Sequence, residues 1–82
     1  MRTGRGTPYD DMQYSVILTP EPEGGFTITI PAFPEYVGFA QTEDEALALA
    51  REGIAFEIER LRDQGQGPPT ESGPPKILLV AA

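Results

Sequence analysis

The chain has 82 residues with nine Gly, nine Pro, no Cys and no His, and thirteen acidic side chains against six basic ones give a net charge of −7. That length allows one domain, which buries only about 60% of the surface its unfolded chain exposes and has neither disulfides nor a Cys/His zinc site to add stability. The missing His removes the usual general base and metal ligand, the charge opposes phosphate backbones, and no apolar run approaches the roughly 20 residues of a membrane span, so enzymatic catalysis, resident metals or cofactors, direct nucleic-acid binding and membrane insertion are not expected.

Residues 1–12 carry Gly, Pro and charge without apolar periodicity and read as a flexible tail. They contain no apolar signal segment, which points to a cytoplasmic protein, and Met12 could itself be a start. Residues 13–82 form the domain. Tyr14, Val16 and Leu18 alternate with Ser15, Ile17 and Thr19, the period of two expected of a strand. Pro20 to Gly25 supplies the fixed and positive φ angles of a reversing loop, so a hairpin follows. Phe26, Ile28 and Ile30 then alternate with Thr27 and Thr29 as a second strand with one wet face. Pro31 and Pro34 break the ladder, and residues 35–41 can form a shorter third strand.

Thr42-Glu-Asp-Glu45 has the form of a capping box: the Thr42 hydroxyl can accept from the Glu45 amide while the Glu45 carboxylate reaches back to the Thr42 amide. The helix is expected to run to about Gln64, with Gly65 as its left-handed cap. Leu47, Ala50, Ile54, Ile58 and Leu61 recur on one face, and Ala46, Leu49, Gly53 and Phe56 widen it. Leu49 and Phe56 therefore either pack under the Pro31–Pro34 loop or meet another subunit. Residues 65–75 form a Gly/Pro-rich connector. The apolar run from Lys76 to Ala82 reads as a fourth strand, pairing with its own sheet or exchanged with a neighbour's. The fold class is α+β: a three-stranded antiparallel sheet, one long helix and a terminal fourth strand, in the order β-β-β-α-β.

Glu45, Glu52 and Glu59 recur every seven residues along the polar side of the helix, a solvated face partly relieved by Arg51, Arg60 and Arg62 and, in a functional reading, a docking face for a cationic partner. The strand centres carry no carboxylate from which a metal site could be built, which ranks a degenerate nuclease low. Gly24-Gly25 lacks the companions of a phosphate-binding loop. Phe33, Tyr36 and Phe39, with Glu35, have the makeup of an interface anchor if exposed at a loop, although such rings more often pack a core.

The run from Tyr14 to Pro34, a strand, an acidic Gly-Gly hairpin and a strand ending in Pro-x-Phe-Pro, resembles the opening of the HicB-like antitoxins, and Thr42-Glu-Asp-Glu-Ala46 resembles that family's Thr-x-x-Glu-Ala helix start. Two positions depart from its pattern: Glu35 follows Pro34 where Gly is common, and Ala40-Gln41 stands where Gly-Asp/Glu precedes the helix threonine. The resemblance implies a partial ribonuclease-H-like domain that neutralises HicA, a small basic RNA-cleaving toxin, by protein contact. Many members carry a further DNA-binding domain, for which residues 65–82 have no room, so operator binding is not expected. The partner-binding candidates are Glu21, Glu23, Phe33, Glu35 and Tyr36. The oligomer-interface candidates are Leu49, Phe56, Ile77 and Leu79, in a homodimer or larger assembly. The alternative is a stand-alone oligomeric structural or ligand-binding domain without a toxin.

Overall fold

The computed structural model describes residues 12–82, so the tail expected over residues 1–12 falls outside the described residues except for Met12. Three short strands, β1 (Ile17–Pro20), β2 (Phe26–Thr29) and β3 (Val37–Ala40), precede one helix, α1 (Glu43–Asp63). The strands form an antiparallel sheet in the order β1-β2-β3. Leu18 pairs with Ile28 and Ile28 with Gly38, while Thr19, Thr27 and Phe39 form the next row on the opposite face. The period-two alternation thus decides the faces: Ile28 and Ala40 are buried under α1, and Thr27, Thr29, Val37 and Phe39 look outward. Pro20 stands in the edge strand β1, where its missing amide is tolerated.

The hairpin closes through the Glu21 amide, which donates to the Gly25 carbonyl at 3.0 Å, and the Gly24 amide, which donates to the Glu21 carbonyl at 2.9 Å. Gly25 has a positive φ of 79°, and a Cβ there would stand 2.7 Å from the Phe39 ring, so both torsion and space require glycine. After β2, the Phe33 amide donates to the Ile30 carbonyl at 2.8 Å and the Tyr36 amide to the Phe33 carbonyl at 3.0 Å. These two consecutive turns let the chain pass Pro31 and Pro34 without needing their missing donors.

Thr42 is the N-cap of α1, extended at φ −131°, and its hydroxyl accepts from the Glu45 amide at 3.1 Å. The reciprocal bond of the expected capping box lands one residue earlier: the Glu45 carboxylate accepts from the Gln41 amide at 2.9 Å, not from Thr42. The other end is a Schellman motif, with Gly65 at φ 77° donating to Arg62 and Gln66 donating to Leu61. At 21 residues the helix is a rod of about 30 Å.

The core consists of Ile28, Ile30, Phe33, Ala40, Ala46, Ala50 and Ile58. Of the expected stripe, Ala50 and Ile58 are buried and Ile54 and Leu61 pack against the core, whereas Leu47 is 48% exposed and Ala46, from the wider face, is buried. The small side chains of Ala46 and Ala50, followed by Gly53, let the helix backbone approach the sheet, and α1 packs on β3 and β2. Of the two residues thought to widen the face, Leu49 packs against the core while Phe56 stays 67% exposed, so Phe56 is not covered by the Pro31–Pro34 loop.

Residues 76–82 do not join the three-stranded sheet of their own chain. The connector before them is held instead to the arm that leads into β1. The Tyr14 hydroxyl donates to the Pro69 carbonyl at 2.8 Å, and the Glu71 carboxylate accepts from the Ser15 amide at 2.7 Å and from the Ser15 hydroxyl. These bonds replace a strand ladder along residues 14–16.

Candidate interaction surface

The hairpin presents its two carboxylates differently. Glu23 is exposed at the tip, whereas the half-buried Glu21 accepts a hydrogen bond from the Thr27 hydroxyl on β2. Glu21 therefore helps to hold the loop, and Glu23 carries its free negative charge. Beneath them lies the outer face of the sheet, where the row Thr19, Thr27, Phe39 is next to Ile17, Thr29, Val37. Phe39 is 50% exposed and Val37 68%, and the Phe39 ring abuts Gly25. Acidic tip and apolar sheet face are thus continuous through Phe39.

The other expected partner residues divide. Phe33 is buried in the core with its ring edge-on to Tyr14 at 5.0 Å between centroids, and so offers no surface to a partner. The Phe26–Ile30 alternation does not carry through the two turns at Pro31–Pro34, and Phe33 is turned inward. Tyr36, just before β3, is half-buried, its ring against Gly38 and Gly53 and its hydroxyl 3.4 Å from the Leu49 carbonyl. Glu35 is exposed and lies within electrostatic reach of Arg60. Arg60 donates to Glu57 at 2.6 Å, and this bond chiefly raises the guanidinium's pKa, with smaller help from the charges of Glu57 and Glu35. Phe39, expected as one of the three rings of the anchor, and Val37, which was not expected, complete the surface. Their signal was the alternation of residues 36–40, which puts 37 and 39 on the face opposite 36, 38 and 40.

Of the oligomer candidates, Leu49 is partly buried within its own chain, and Phe56, Ile77 and Leu79 are 67%, 79% and 97% exposed. Along the helix, Arg62 donates to Glu59 at 2.9 Å, so part of the acidic stripe is paired. Among the described residues no group of three or more acidic side chains is gathered as a metal site requires, and no helix is long and apolar enough to cross a membrane.

No family model matches the chain, and no solved structure matches it. A UPF0150 protein of Thermoplasma acidophilum is 31% identical over 61 residues, an alignment that covers 74% of this chain and 88% of that relative. With so large a share of both proteins aligned, the chain belongs to the UPF0150 family.

Proposed function

We propose that the chain is an antitoxin-like binding domain of the HicB type, which neutralises a small basic RNA-cleaving toxin by protein contact and catalyses nothing itself. The observation that carries this reading is the acidic hairpin braced on a half-exposed Phe39, next to the exposed Val37 on the outer face of the sheet. An aromatic anchor beside carboxylates is the composition of a hot spot for a cationic partner. The net charge of −7 would speed encounter with such a partner. The motifs from Tyr14 to Pro34 and at Thr42–Ala46, together with membership of the UPF0150 family, support the same reading.

Co-expression with the product of an adjoining short basic reading frame tests it. The expected result is a stable complex and relief of the growth arrest that the basic protein causes alone. No complex and no relief would sink the proposal. The second reading, a stand-alone oligomeric structural or ligand-binding domain, is favoured by the exposure of Ile77 to Val80, which suits self-association as well as a foreign partner.

A further inference from the structure

The large apolar side chains that stay exposed fall mainly into two groups. One surrounds β3, the last strand in the order β1-β2-β3, beside whose far edge no strand is placed among the described residues. On its outer face stands the exposed Val37, while the Phe39 ring leans back over Gly25 towards the hairpin. On its inner side the flank of α1 overhangs. The Tyr36 ring lies against Gly53 with its hydroxyl near the Leu49 carbonyl, and the exposed Phe56 follows on the same helical flank. The opposite flank, with Leu47, Ile54 and Ile58, looks instead to Tyr14 and Val16 on the β1 side. The second group is the run Ile77, Leu78, Leu79, Val80, each residue at least 77% exposed.

We propose that the protein is a homodimer in which residues 77–80 of each copy add as a strand to the β3 edge of the other. A strand placed there has α1 on one face and Val37 on the other, so it calls for apolar side chains in both directions. The run supplies them: whichever way it lies along β3, two of its side chains fall on the side of Phe56 and Tyr36 and two on the side of Val37. β3 is the edge suited to receive it, because Val37–Ala40 holds neither Pro nor charge to blunt pairing, whereas Pro20 in β1 lacks an amide. Exposed carboxylates stand near both ends of β3, Glu35 before it and Glu43 after, so Lys76, which leads into the run, lies near one of them in either direction. The connector is tied at Pro69 and Glu71 to Tyr14 and Ser15, on the β1 side of the sheet, and Pro74-Pro75 then holds it extended. The exposure of the run records that it does not lie on its own β3, so a second copy's edge is the one it fits. Each copy has one run and one receiving edge, and the exchange closes when it is reciprocal. Four aliphatic side chains at roughly 100 Å² each, covered in both copies together with Val37 and Phe56, come to on the order of 1,000 Å², enough for a specific contact. Main-chain hydrogen bonds along β3 add to it. The hairpin tip and the Phe39 ring stay outside this contact, and the dimer does not rest on a toxin partner.

Light scattering of the full chain at micromolar concentration, with the variants Leu79→Asp in the run and Phe56→Lys over the edge, tests the inference. The wild type is expected at twice 8.9 kDa and each variant at 8.9 kDa, with helical circular dichroism unchanged because both positions are exposed. An equal mixture of the two variants at millimolar concentration should regain mass, since one keeps the edge and the other keeps the run. A monomeric wild type would overturn the proposal and leave the run to a foreign partner. A dimer that persists in either variant would overturn it by placing the interface elsewhere, and so would a millimolar mixture no heavier than its components.

Discussion

The ring of Tyr36 lies directly on the helix backbone at Gly53: a Cβ added there would stand 2.9 Å from Cδ1 of the ring and closer still to Cε1. The same ring faces Gly38 from the other side, where an added Cβ would meet the Tyr36 hydroxyl at 2.6 Å. Tyr36 thus fills a slot left by two missing side chains, one on β3 and one on α1, and sets how closely helix and sheet approach.

Gly53→Ala consequently pits two effects against each other. Alanine favours a helix interior by about 1 kcal/mol, but the clash with Tyr36 is an overpacking cost of about 1–3 kcal/mol. The clash should win, giving a net loss of about 1 kcal/mol in urea denaturation. In the double variant with Tyr36→Ala the sign should reverse for the Gly53 step. A Gly53→Ala variant more stable than wild type would show that the ring moves away at no cost.

The helix ends invite a second comparison. Thr42→Ala removes the acceptor of the Glu45 amide and should cost about 1 kcal/mol. Gly65→Ala forces a side chain into φ 77° and should cost about 1–2 kcal/mol. The sites are far apart along the helix, so the two losses should add in the double variant. Strong non-additivity in thermal unfolding would mean that the helix does not fold with the sheet as one unit.

Both helix ends were legible in the sequence because caps are local: Thr42, Glu45 and Gly65 act within a few residues of their own backbone. The hairpin and the two faces of β2 were legible for the same reason, through Gly24-Gly25 and a strict alternation. The exposure of Leu47 was not, because apolar periodicity weights its size, whereas close packing selected the small Ala46 beside Ala50. The inward turn of Phe33 depends on consecutive turns whose combined angle no periodicity encodes. The ties of Tyr14 to Pro69 and of Ser15 to Glu71 cross 55 and 56 residues and leave no local trace.

Those ties make stability pH-dependent at both extremes. The Ser15 hydroxyl, and after it the Ser15 amide, hold the Glu71 carboxyl below its ordinary value. A group depressed in the folded state adds stability above its unfolded pKa of about 4.3, and that stability is lost as pH falls through the lower folded value. Burial, and then the Glu71 charge, raises the Tyr14 phenol. Its contribution is complete below an unfolded pKa of about 10 and disappears as pH rises through the folded value. Denaturation midpoints across pH should show Glu71→Gln removing part of the acid-side slope. Tyr14→Phe should remove part of the alkaline one. An acid-side slope identical in wild type and Glu71→Gln would mean that the connector is not held by this carboxylate in solution.

If the acidic hairpin receives a basic partner, its two parts should act on different rate constants. Glu23 is exposed and Glu21 is committed to Thr27, so Glu23→Lys reverses charge at the tip without breaking the loop's own hydrogen bonds. Surface-resonance kinetics at low salt should show association slowed by about tenfold, with the difference vanishing as salt screens the field. Phe39→Ala removes desolvated contact rather than steering, and should act on dissociation, at a cost of at least about 2 kcal/mol or roughly 30-fold in residence time. The order of effects is the discriminating feature. Were Glu23→Lys to leave association unchanged while Phe39→Ala still shortened the complex's life, the partner would be seated on the sheet face without help from the hairpin, and the net negative charge would serve solubility alone.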